Sequence, residues 1–282
     1  MEEWLTGWKF PLGEGMKAII EYLKTNGRGF FDVVSNTLEF VIEGVTTILL
    51  MFPPLVLIGV IVAFAWWLHR SWKLCVFIAI AFIFVANLGY WKPTVETLSL
   101  VTAATFVSVV IGVPIGIAAA HRPWLYTILR PVLDLMQTVP TFVYLIPTLV
   151  FFGLGVVPGL ISTVIFAIPA PIRLTHLGIS SVPGPLKEAG EAFGATERQL
   201  LWKIEIPHAM PTIMAGVTQC IMLSLSMVVI AALVGADGLG KPVVRALNSV
   251  NIPMGFEAGT AIVILAIVLD RLCKRPERHG GA

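Results

Sequence analysis

The chain has 282 residues, of which 57% are hydrophobic and 13% charged, and a formal net charge of +2. A soluble domain carries about 25% charged residues, so a soluble protein built round one large core is excluded. No Lys/Arg cluster is interleaved with aromatics, which removes nucleic acid as a partner.

The three cysteines, Cys75, Cys220 and Cys273, lie far apart without metal-ligand spacing, and two sit inside apolar runs. They read as small buried or lipid-facing hydrophobes. Glu2 and Glu3 stand at the start, and the first thirty residues hold no apolar stretch of the signal-peptide type, so no cleaved leader is expected.

Residues 1–43 are expected not to span a membrane. Met16, Ile19, Ile20 and Leu23 fall on one helical face, with Lys17, Glu21 and Lys24 opposite. Asn26-Gly27-Arg28-Gly29 predicts a break. Beyond it Phe31, Val34, Leu38, Val41 and Ile42 line a second apolar face, against Asp32, Ser35, Asn36, Glu39 and Glu43. Two amphipathic helices result, which can lie in the membrane interface or pack on their own subunit.

Seven apolar runs follow, several longer than the roughly 18 residues that mark a membrane span. They are Val45–Leu68, kinked at Pro53-Pro54 and closing on Trp66-Trp67; Trp72–Leu88; and Val95–Ala120, with a break expected at Gly112-Val113-Pro114-Ile115-Gly116. Leu125–Phe152 is interrupted by Pro140 and Pro147. Val156–Leu177 has Pro169 and Pro171 near its end; Ile213–Val234 and Phe256–Leu272 complete the set. The expected architecture is an all-α membrane protein with about seven transmembrane helices behind an amphipathic N-terminal segment.

Between the fifth and sixth runs the chain turns polar and stays polar, from Pro183 to Pro211. The stretch reads as two short helices with a joint. Ala189, Ala192 and Ala195 offer a small-residue face, and Gly194 removes a side chain where another backbone can come close. Leu200, Leu201 and Ile204 fall on one helical face, and Pro207 is expected to end the element. A loop gripped by a partner and an ordinary amphipathic connector both fit this pattern.

Glu188-Ala189-Gly190, then three residues, Gly194, nine residues and Ile204-Glu205-Ile206-Pro207 resemble the EAA loop of binding-protein-dependent ABC importers. That pattern runs Glu-Ala-Ala, three residues, Gly, nine residues, Ile-x-Leu-Pro; Gly190 and Ile206 are the departures. Residues 134–147, 225–240 and 264–272 resemble permease subunits for glycine betaine, proline betaine and choline, and the likeness runs over residues 30–272. The resemblance implies the type I ABC importer fold in the bacterial inner membrane. It also implies a second copy of the chain, ATP-binding cassette subunits that hold ATP and Mg, and a periplasmic or lipid-anchored solute-binding protein. This chain itself would bind no cofactor and no metal.

The implied division is a tail over 1–43, two added spans over 44–92, a five-helix core over 93–275 carrying the loop 183–211, and a C-terminal tail over 276–282. Coupling to the ATPase is expected at Glu188, Ala189, Gly190, Ala192, Phe193, Gly194 and Ala195, where small residues permit close approach and Phe193 can plug an apolar groove. With that loop inside, twelve of the 19 basic residues lie inside, which puts the N-terminus outside and the C-terminus in the cytoplasm.

A gate is expected where helix ladders are broken: Pro140 and Pro147, an apolar constriction at Phe142, Val143 and Tyr144, and the flexible connection at Gly235, Gly238 and Gly240. Met136, Phe142, Tyr144 and Met222 can line a path for a quaternary ammonium ion or serve as ordinary core. Asp134 is four residues beyond Arg130 and is expected to pair with it. No catalytic set and no Gly-x-x-x-x-Gly-Lys-Ser/Thr loop is visible, so ATP hydrolysis is expected in a partner. The alternatives are a permease of a related ABC importer for another small solute and, less favoured, a stand-alone secondary carrier, against which scarce intramembrane charge counts.

Overall fold

The computed structural model describes residues 11–274. The first ten residues of the tail, Arg275 and the C-terminal segment with Arg278 and His279 lie outside the described residues. Among the described residues all regular structure is helical.

Leu12–Met51 forms one continuous helix, α1, and the break expected at 26–29 does not occur. The reason is local. Thr25 donates to the Glu21 carbonyl at 2.8 Å, and Arg28 pairs with Asp32 at 3.9 Å, so interactions one turn apart bracket both glycines. The Phe31 ring covers Gly27, lying 2.8 Å from where a Cβ would stand. The helix stops at Phe52, whose extended backbone is the conformation a following proline enforces.

Pro54–His69 (α2) and Trp72–Asn87 (α3) are 16 residues each and pack on one another. Trp91–His121 (α4) runs 31 residues without interruption, so the break expected at 112–116 is absent although Pro114 sits inside the helix. Pro123–Thr138 (α5) and Thr141–Phe152 (α6) meet at 95°. Of the two prolines expected to interrupt this run, Pro140 stands at the bend and Pro147 lies within α6. Val156–Ala167 (α7) and Pro169–Ser180 (α8) join as one 25-residue span.

Gly184–Ala192 (α9) and Glu197–Leu200 (α10) follow, then a π-helical turn at Leu201–Glu205 that feeds straight into Ile206–Ala232 (α11). Pro207 therefore does not end the element: it lies inside one helical run from Glu197 to Ala232, directly after the π turn. Gly240–Ser249 (α12) and Ile252–Cys273 (α13) complete the chain, with the Asn251 side chain capping α13 through the Met254 N–H. By length and apolar composition five described helices can cross a bilayer, or six with the bent pair, and α2 and α3 are shorter apolar helices.

The core is a three-helix contact. α8 packs on both α4 and α11, and α11 also packs on α7. Glycines make this possible. A Cβ at Gly116 would lie 2.7 Å from the Ile172 carbonyl oxygen, and one at Gly178 would lie 3.1 Å from Ala209 Cβ. Gly112 and Gly116 thus form a Gly-x-x-x-Gly face against α8, the small-residue packing that bundles in lipid rely on. A second apolar cluster joins α2 and α3 to α4, α11 and α13 through Ile58, Phe82, Val101, Ile221, Leu225 and Leu265.

α1 packs on this bundle along one side. Phe31 stacks on Phe151 at 4.5 Å, and Ile42 is buried with Leu100, Leu160 and Ala231. Tyr22, Phe30 and Phe40 stay exposed on its other side.

Candidate coupling loop and gate

α9 and α10 project between the two spans formed by α7–α8 and α11, and their chemistry is polar where everything round them is apolar. α9 starts at Gly184 with Pro185 in its first turn, and Phe193 caps its C-terminal end. The joint is made by Gly194, whose φ of +77° lies in the left-handed region and whose missing Cβ would meet nothing within 4 Å. Its glycine is thus required by the turn itself. Thr196 and Gln199 then cap α10 reciprocally: the Gln199 N–H donates to Thr196 Oγ1 at 3.4 Å, and the Thr196 N–H donates to Gln199 Oε1 at 2.9 Å.

The expected docking residues divide between two faces. Glu188, Ala189, Ala192, Phe193 and Gly194 are exposed, and Phe193 is 94% exposed. Gly190 turns the other way: a Cβ there would lie 2.6 Å from both Leu200 Cδ2 and Ile204 Cδ1, so it seats α9 on the apolar face of α10 and the π turn. Ala195 is half-buried, and its N–H donates to the Gly190 carbonyl at 3.0 Å.

Sequence reasoning missed the group that holds this loop to the bundle. Glu205 is 4% exposed. Its Oε1 accepts from Lys187 Nζ of α9 at 2.7 Å, and its Oε2 lies 2.8 Å from His121 Nε2 at the end of α4. His121 Nδ1 faces the Ile117 carbonyl at 3.0 Å. The only signal in the sequence was an acid between Ile204 and Ile206, in an otherwise apolar step.

The expected gate residues fall into separate places. Pro140, Met136 and Tyr144 meet at the α5–α6 bend, where the Tyr144 hydroxyl donates to the Met136 carbonyl at 2.5 Å. Phe142 and Val143 are exposed on α6, and Pro147 is half-buried there. Met222 packs instead against the cluster shared by α2, α3, α11 and α13.

Gly235, Gly238 and Gly240 form a close-packed connection, not a loose one. A Cβ on Gly238 would lie 2.5 Å from Thr97 Oγ1, and one on Gly240 would overlap the Val228 carbonyl oxygen. Asp134 pairs with Arg173 of α8 at 2.6 Å, not with Arg130. The 95° bend and the packing of α5 on α8 bring that guanidinium within reach. Among the described residues no group of His, Cys, Asp and Glu could hold a metal ion.

A bundle of apolar helices joined through glycine contacts, with one polar helical loop standing out from it, defines a polytopic membrane subunit. The chain belongs to the family described as "Binding-protein-dependent transport system inner membrane component", whose model matches residues 112–273. It is 46% identical over 94% of its length to 93% of the glycine betaine transport system permease protein OpuAB of Bacillus subtilis. It is 43% identical over 93% of its length to 94% of the glycine betaine/carnitine transport permease protein GbuB of Listeria monocytogenes. Against the glycine betaine/proline betaine permease protein ProW of Escherichia coli it is 43% identical over 93% of its length and 74% of that protein.

Two structures of the inward-facing MetNI methionine ABC transporter share the fold. Their TM-scores are 0.57 and 0.59 at 24% and 23% identity, covering 64% and 66% of this chain and 94% and 96% of theirs. The fold is that of a type I ABC importer membrane subunit, and the chain is a permease subunit, not an enzyme.

Proposed function

We propose that this chain forms the pathway of an ATP-driven importer of quaternary ammonium compatible solutes, glycine betaine foremost, with proline betaine, carnitine and choline as the nearest chemical alternatives. Two copies surround the pathway, two ATP-binding cassette subunits holding ATP and Mg dock on the inner side, and a solute-binding protein delivers from outside. The N-terminus is outside and the C-terminus is cytoplasmic, in a bacterial inner membrane. The solute class is supported by the names of the relatives above, at up to 46% identity.

The observation that carries the coupling reading is Phe193. An aromatic side chain 94% exposed at the tip of a polar helix loses apolar contact that a groove on a partner restores. Glu188, Ala189, Ala192 and Gly194 surround it with little bulk, and Gly190 and Ala195 hold it in place from behind. At the other end, Phe142, Val143 and Tyr144 beside Pro140 offer aromatic and apolar surface to a cation that carries methyl groups in place of hydrogen-bond donors. Met136, Pro147, Met222, Gly235, Gly238 and Gly240 complete the proposed gate region. ATP binding draws the two coupling loops together and splays the outer halves.

Reconstitution tests this reading. The chain is placed in liposomes with an ATP-binding cassette subunit and a solute-binding protein from the same organism, and uptake of labelled glycine betaine is measured with ATP inside. Uptake is expected only with all components present, and unlabelled proline betaine, carnitine and choline report the solute range. Uptake without the ATP-binding subunit would make the protein a carrier.

A further inference from the structure

We propose that Glu205 is a positioning residue for transport: its contacts with Lys187 and His121 lock the coupling loop to the inner ends of α4 and α11, so that movement of the loop is delivered to the spans. The inference rests on the coupling reading above and adds a residue outside the docking face.

The chemistry of the site is not that of a surface ion pair. Glu205 is 5% exposed at its side chain, and each carboxylate oxygen has its own nitrogen partner, at 2.7 Å and 2.8 Å. The partners come from different elements: Lys187 from α9, which the ATPase would push, and His121 from the last residue of α4. Glu205 itself ends the π turn and leads into α11. One carboxylate therefore joins three elements, and among the described residues no other side-chain polar contact links them at this point.

A buried carboxylate cannot give up a partner without stranding charge away from water, so the three elements keep their relative placement when one of them is displaced. Gly190 seated on Leu200 and Ile204 is a second fastening on the apolar side of the same loop. Together the two contacts tie α9 to the start of α11 on both its polar and its apolar side. The π turn lies where that load is passed on, and such turns concentrate at working sites in helices. Without the clasp, α9 can follow the ATPase while the spans stay still, and hydrolysis runs without transport.

The test uses the full chain reconstituted with its ATP-binding subunit and binding protein, reading glycine betaine uptake and ATP hydrolysis in the same vesicles. Lys187→Met and Glu205→Gln are expected to keep the ATP-binding subunit bound and hydrolysing. Uptake per ATP should fall on the order of tenfold, the size of a typical coupling between sites. Lys187→Arg, which keeps a cation on a long stem, should restore uptake per ATP. The Lys187→Met/Glu205→Gln double variant should be no worse than either single one, because a clasp is lost only once.

Unchanged uptake per ATP in Lys187→Met would overturn the proposal. So would loss of the bound ATP-binding subunit in both single variants, which would make the clasp a support for the docking face. Wild-type uptake that needs no ATP-binding subunit would overturn the coupling reading itself, and is scored before any variant.

Discussion

Thr97 and Leu239 are 142 positions apart, yet the Leu239 backbone N–H donates to Thr97 Oγ1 at 2.8 Å, and both residues are fully buried. Thr97 lies near the start of α4, and Leu239 lies in the connection between α11 and α12. This one bond fixes the glycine-rich connection to the first core helix. Thr97→Val keeps the shape and removes the acceptor, leaving a buried N–H unpaired at a cost of about 1–3 kcal/mol. Thermal unfolding in detergent should show that loss, with Thr97→Ser close to wild type.

The glycines of this protein are not equivalent. A methyl at Gly116 meets the Ile172 backbone carbonyl, which cannot move without shifting α8; a methyl at Gly190 meets the ends of Leu200 and Ile204, which can swing. Gly116→Ala should cost about 1–3 kcal/mol by overpacking. Gly190→Ala, which restores the Glu-Ala-Ala pattern, should cost less. Unfolding temperatures of the two variants decide between them.

At the loop tip, Phe193→Ala should leave the unfolding temperature unchanged, because the side chain touches little of its own subunit. Binding of the ATP-binding subunit should weaken by about 2 kcal/mol, roughly thirtyfold, as for an interface anchor. Gly194 acts through its backbone. Gly194→Asn should retain coupled ATP hydrolysis, since Asn tolerates a left-handed φ, while Gly194→Val should lose it.

Tyr144 holds the bend between α5 and α6 by donating to the Met136 and Leu135 carbonyls. Tyr144→Phe keeps the ring and removes both bonds, at a cost of about 1 kcal/mol. If this bend belongs to the gate, cysteines at Thr141 should crosslink between copies in one nucleotide state and not the other. Tyr144→Phe should blur that difference. Crosslinking that is the same with and without trapped nucleotide would move the gate elsewhere.

Much of this protein is written locally in its sequence. Apolar run length marks the spans because every backbone polar group in lipid must be satisfied within its own helix. The spacing from Glu188 to Pro207 marks the loop because small residues and a turn glycine recur at fixed steps of one short motif. What the sequence left open is how each helix-breaking residue behaves. Pro140 bends the chain by 95°, whereas Pro114, Pro147 and Pro211 lie inside continuous helices, and Gly27 passes unnoticed under Phe31.

What a proline or glycine costs a helix depends on where in the helix it stands, and the neighbours that cover the gap decide whether the helix yields. The polar contacts follow the same rule. Asp134 had a cation four residues away at Arg130 and took Arg173 of α8 instead. Glu205 reached Lys187, 18 residues before it, and His121, 84 residues before it. Charge pairing in a bundle is settled by which helix ends the packing brings together. That is a property of the whole apolar contact surface and of no single stretch of the chain.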